Sequence, residues 1–148
     1  MLALNLNFIN FKALSIELIL LISGIGIFLI DRIIRNKNYA FYLTLMVLSI
    51  GLIFLLFTPF GEFTYAYKTD FYSNTLKFIL FISFFLVIII SYSYLQDYKA
   101  LNFGEYYGLL LFSMMGAFIM LSSQDLLTLF LGLELMSIPV YFLIGSSY

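Results

Sequence analysis

The chain of 148 residues contains no cysteine, no histidine and no tryptophan. Without cysteine it offers no disulfide, no thiolate metal site and no iron–sulfur ligation. Without histidine it offers no imidazole proton relay and no histidine haem ligand. Charge is scarce as well, at 10% of residues and a net charge of −1, where a soluble domain carries about a quarter. So few charges cannot cover a water-facing surface. No basic run or stripe occurs, and no nucleic-acid partner is expected. What abounds is apolar: 64% of residues are hydrophobic, and the mean hydropathy is +1.08. A membrane crossing takes about 20 residues, so this length suits a single membrane domain, an all-α polytopic helix bundle in a lipid bilayer. Residues 1–11 lack the basic start of a secretory signal, and the apolar run behind them is too long for one. The first helix is therefore expected to stay in the mature chain.

Five apolar stretches are predicted as transmembrane helices, at about 13–30, 39–57, 71–95, 106–121 and 125–144. The second stops before Pro59, which cannot continue a helix without losing a hydrogen bond. The link 58–70 is short and aromatic-rich, and no repeat or low-complexity segment is seen. With tryptophan absent, tyrosine supplies the interfacial aromatics. Tyr39, Tyr42, Tyr65, Tyr67, Tyr72, Tyr92, Tyr94, Tyr98, Tyr106 and Tyr107 lie near predicted helix ends and are read as membrane anchors. Arg32, Arg35, Lys37 and Lys99 fall on one side, Lys12 and Lys68 on the other. By the positive-inside rule the 31–38 loop is cytoplasmic and the N-terminus outside, in a multi-pass cell (inner) membrane protein.

Glu134 is the foremost candidate for chemistry. It lies nine residues past Asp125, about 14 Å along a helix in a hydrocarbon core of about 30 Å. An ionisable residue at that depth usually faces the bundle interior or water and marks a proton or ion path. The plainer alternative is a protonated glutamic acid making one interhelical hydrogen bond. Ser137 shares a helix face with Glu134. Pro139 lacks the amide that would bond the Leu135 carbonyl, which is left to accept from water or a side chain. Gly132 permits close approach of a neighbour. Lys77 lies about 9 Å into the third helix and Glu17 about 6 Å into the first, from the same side. They either form an ion pair or snorkel separately. Asp125 reads as a helix N-cap. Ser23, Gly24, Gly26, Ser113, Gly116 and Ala117 read as packing faces. Gly104 and Gly108 have the spacing of a dimerisation motif, but at the interface. No nucleotide loop, catalytic triad or metal cluster is present, and no cofactor is expected on this chain.

The run Gly104-Glu105-Tyr106-Tyr107, the stretch from Ser122 through Asp125-Leu126-Leu127, and above all Gly132-Leu133-Glu134-Leu135-Met136-Ser137-Ile138-Pro139 resemble subunit N of the respiratory NADH–quinone oxidoreductase. Glu17, Asp31, the Asp70-Phe71-Tyr72-Ser73 opening and Lys77 agree with that resemblance. It covers nearly the whole chain and implies the N-terminal part of an antiporter-like subunit fold. Related subunits and Mrp-type cation/proton antiporters often carry tryptophan just before the matching glutamate. Here that position is Leu133, which favours subunit N. The resemblance implies a proton-translocating complex whose NADH, FMN, iron–sulfur clusters and quinone sit on other subunits. Its partners would be other membrane subunits, including an antiporter-like neighbour. Glu134 would tune a lysine on a later helix, with Ser137, Pro139, Lys77 and Glu17 in support. Family members have about fourteen helices, so this chain is expected to be a fragment of a longer subunit, or part of a split subunit completed by a second chain. Two other readings stand beside it: a subunit of a Mrp-type antiporter, and a non-catalytic scaffold bundle that would tolerate Glu134→Gln.

Overall fold

Asp70 and Asp125 each start a helix by the same device. In the computed structural model, which describes residues 11–34, 37–58, 60–97 and 103–145, the Ser73 amide donates to Asp70 Oδ1 at 2.9 Å and the Asp70 amide to Ser73 Oγ at 3.0 Å. The Thr128 amide donates to Asp125 Oδ1 at 2.7 Å. Each carboxylate satisfies an amide that the first turn leaves without an intrahelical partner. These contacts also hold both aspartates below the ordinary carboxylate range.

Among the described residues there are five helices: α1 (Ser15–Ile34), α2 (Lys37–Phe57), α3 (Phe71–Asp97), α4 (Phe103–Ser122) and α5 (Leu126–Gly145). A 3-10 turn, Phe11–Leu14, leads into α1. Pro59, Tyr98, Arg35 and Lys99, invoked above for a helix stop, an anchor and the charge bias, lie outside the described residues. Helix α4 begins at Phe103 rather than near Tyr106, so Gly104 and Gly108 lie within it. The Asp31 carboxyl accepts from the Gly104 amide, helping to start that helix from a neighbouring one.

Small residues set the packing. A Cβ on Gly108 would lie 2.7 Å from the Phe28 ring and 3.4 Å from the Gly24 carbonyl oxygen. The spacing at Gly104 and Gly108 thus serves contact with α1 inside one chain rather than dimerisation. Two turns further along α4, a Cβ on Gly116 would run into the Met136 amide and come within 2.8 Å of the Gly132 carbonyl. Backbones so close leave room only for glycine. Ser113 Oγ donates to the Met136 carbonyl at 3.0 Å across the same seam. Gly26, expected on a packing face, has nothing within 4 Å of its would-be Cβ. Helix α4 is the centre of the bundle, with Leu111, Met114 and Phe118 fully buried in one core with Leu20, Leu48, Phe81 and Ile88.

The 58–70 link is not plain loop. It forms a hairpin of β1 (Gly61–Thr64) and β2 (Tyr67–Thr69), paired Gly61 to Thr69 and Glu62 to Lys68. Burial alternates along β2, with Tyr67 and Thr69 inward. At the start of β2, Tyr67 pairs with Ser123 and the Gln124 amide donates to the Ala66 carbonyl at 2.8 Å. The hairpin is thereby tied to the turn between α4 and α5.

Two of the tyrosines read as anchors are not: Tyr67 and Tyr107 are buried, whereas Tyr39, Tyr42, Tyr65, Tyr72 and Tyr94 are exposed. Among the described residues four helices are long and apolar enough to cross a membrane, α2 to α5. Helix α1 has the length, 20 residues or about 30 Å, but it carries three charged residues, Glu17, Asp31 and Arg32.

Candidate functional site

Two polar sites lie within the apolar bundle. The first is Glu134, in the middle of α5. Its neighbours Leu133, Met136 and Ile138 are exposed, and Glu134 itself is half-buried. Among the described residues its carboxylate makes no hydrogen bond and no ion pair. Ser137 follows one turn later, but its hydroxyl turns back on the helix, donating to the Leu133 carbonyl at 2.7 Å and only distantly to that of Glu134 at 3.4 Å. It does not reach the Glu134 side chain. Pro139 is buried against α4. The interhelical donor expected at the Leu135 carbonyl is found one residue on, where Ser113 bonds Met136. An apolar recess of about 380 Å³ opens beside the proline, lined by Leu109, Phe112, Leu135, Ile138, Pro139 and Phe142.

The second site joins Glu17 and Lys77, with Lys77 Nζ 2.7 Å from Glu17 Oε1 and their side chains 1% and 3% exposed. Depth along each helix, counted from a common side, is what brings them level. A third member was not legible as such. Tyr67 enters from the hairpin, 4% exposed, and its hydroxyl donates to Glu17 Oε1 at 2.5 Å while accepting from Lys77 Nζ at 3.0 Å. The ammonium also lies 5.3 Å from the centroid of the Tyr67 ring and 5.6 Å from that of Phe118, within cation–π range. Burial first, and then the Glu17 charge and its hydrogen bond, push the Tyr67 phenol far above its usual value, so it stays a donor. The signal for Tyr67 lay in the alternation of residues 61–69, which suits a strand pair.

Asp125 and Asp70 act as caps and stand apart from both sites. Ser122, at the end of α4, faces the Tyr67 phenol. Among the described residues no group of three or more acidic side chains could hold a metal ion.

No family model matches the sequence. Curated relatives do. NADH-quinone oxidoreductase subunit N of Brevibacillus brevis is 42% identical over 87 residues, 59% of this chain and 17% of that protein. The subunit N of Trichlorobacter lovleyi is 32% identical over 142 residues, 93% of this chain and 29% of the relative. That of Coxiella burnetii is 33% identical over 145 residues, 92% and 30%. Among solved structures, a chain of respiratory complex I from Thermus thermophilus with bound aureothin matches with a TM-score of 0.73 at 22% identity, over 86% of this chain and 28% of that one. The chain thus spans less than a third of the length of the proteins it matches.

Proposed function

We propose, for a chain that belongs to the NADH-quinone oxidoreductase subunit N family, that it is a membrane subunit of a proton-translocating NADH–quinone oxidoreductase and contributes a buried proton path with Glu134 as its titrating carboxylate. One observation carries the reading. A carboxylate sits nine residues into an apolar helix of 20, half-buried, with no cation or donor on it among the described residues. A purely structural glutamic acid would be expected to hold an interhelical hydrogen bond. An unpaired one at membrane depth is suited to gain and lose a proton. The close Gly116–Gly132 crossing and the Ser113 bond across the Pro139 interruption fix the helix that carries it.

In this reading the redox cofactors (NADH, FMN, iron–sulfur clusters) and quinone belong to other subunits, and the chain packs among other membrane subunits, an antiporter-like neighbour among them. Glu134 works with lysines on later helices, by resemblance to the family. Glu17 and Lys77 support the path from the hairpin side. The N-terminus and hairpin lie outside and the 31–38 loop in the cytoplasm.

Glu134→Gln in the assembled complex tests the role, because glutamine keeps the hydrogen-bonding shape and removes the titration. Proton translocation coupled to quinone reduction is expected to fall by about 10²-fold, the usual share of a positioned proton-transfer group. Full activity in that variant would instead favour the scaffold reading.

A further inference from the structure

We propose that Glu17, Tyr67, Lys77 and Ser122 enclose a binding site for one structural water beneath the hairpin, bridging Glu17 Oε2 and Ser122 Oγ. This inference does not depend on the role given to Glu134. It follows from hydrogen-bond accounting within the triad. Glu17 Oε1 accepts twice, from Lys77 Nζ at 2.7 Å and from the Tyr67 hydroxyl at 2.5 Å. The other oxygen of the same carboxylate, Oε2, is buried and has no hydrogen-bond partner among the described residues. Ser122 Oγ is buried too, faces the Tyr67 phenol, and likewise has no partner of good geometry. Lys77 has three N–H donors and spends two of them, on Glu17 and Tyr67. Buried polar groups in folded proteins are nearly always bonded, by protein or by ordered water. A half-satisfied ionic network in a medium of low dielectric is the costly case.

Chemistry selects the occupant. The Lys77 ammonium already balances the Glu17 carboxylate, so a second cation would leave an uncompensated charge. An anion would be repelled by Oε2. A small neutral molecule that both donates and accepts fits all the open valences: it donates to Oε2, exchanges a hydrogen bond with Ser122, and can accept from the third N–H of Lys77. Water does this with two to four partners, the usual number for a buried water. The site is closed on the aqueous side by the hairpin, where Tyr67 pairs with Ser123. The Phe118 ring also borders it, 5.6 Å from Lys77 Nζ.

The test is a density map of the protein purified from membranes with whatever subunits it carries, at a resolution where ordered waters are seen. The expected result is a water peak about 2.6–3.2 Å from both Glu17 Oε2 and Ser122 Oγ. The absence of a peak, or a side chain or amide donating directly to Oε2, overturns the proposal. A second map, of Ser122→Ala, separates the partners. The peak should weaken or shift by about 1 Å or more once one of its anchors is gone. A peak unchanged in height and place shows that Ser122 is no part of the site and overturns the bridge.

Discussion

Lys77 is the residue with most at stake in this bundle. Taking an ammonium and a carboxylate out of water costs several kcal/mol per ion, and only good geometry with further hydrogen bonds offsets it. Tyr67 supplies part of that, since its phenol both donates to Glu17 and accepts from Lys77. Removing one partner alone leaves a buried charge, so Lys77→Met should destabilise the bundle by about 3–5 kcal/mol, whereas Glu17→Gln with Lys77→Met should come within about 1 kcal/mol of the parent. Thermal unfolding in detergent measures both. Exchanging the two charges, Glu17→Lys with Lys77→Glu, should rescue what either reversal alone destroys. The pair could be inferred from sequence because helical rise converts residue number into depth. Tyr67 could not, since a tyrosine near an expected helix end reads first as an anchor. What turns it inward is the hairpin register together with the pairing to Ser123, a contact between residues more than fifty apart in the chain.

Each element shows where local sequence decides and where it does not. The caps are local: Asp70 and Asp125 bind amides three residues on. The Asp70 carboxyl is held low chiefly by the Ser73 amide, with burial opposing and the Ser73 hydroxyl and Lys68 helping. For a depressed carboxylate the stabilisation is complete above the unfolded value of 3.8 and is lost as pH falls through the folded one. The protection of the Ser73 amide against exchange, relative to an unstructured amide at the same pH, should therefore fall on acidification below that value, and Asp70→Asn should flatten the dependence. The crossing of α4 and α5 is not local. Gly116 and Gly132 are unremarkable in an apolar run, and only their placement face to face shows why no larger residue fits. Gly116→Val should force the backbones apart at a cost of about 1–3 kcal/mol, read as a lower unfolding temperature and as loss of close α4–α5 cross-linking. Ser137 shows the same limit: sharing a helix face with Glu134 left open whether its hydroxyl would turn to the carboxylate or to its own backbone, and it chose the backbone.

As a whole the molecule presents apolar side chains outward. Ile22, Met46, Ile90, Leu127, Leu131 and Ile138, from four of the five helices, are all exposed. That distribution makes sense in lipid or against further helices, and it is why composition alone pointed to a membrane bundle. Fold class and helix number were legible because the apolar runs are separated by charges, a proline or short polar stretches. The hairpin was not, since nine residues with alternating burial make a weak signal in a link rich in aromatics. The absence of cysteine gives a clean background for orientation. In sealed vesicles of native polarity, Tyr65→Cys, on the fully exposed hairpin tip, should react with a membrane-impermeant thiol reagent added outside. Ile33→Cys, at the other end of α1, should react only after the membrane is opened. The reverse pattern would invert the proposed topology.

The Glu17–Lys77 pair also has a history in time. Sixty residues separate its members, and a ribosome adding about 5–20 residues per second needs roughly 3–12 s to make them. Through that interval α1 carries its carboxylate with no lysine to meet it. Helix α1 is thus made well before its charge is matched, and its settlement in lipid waits on the synthesis of a helix two crossings downstream.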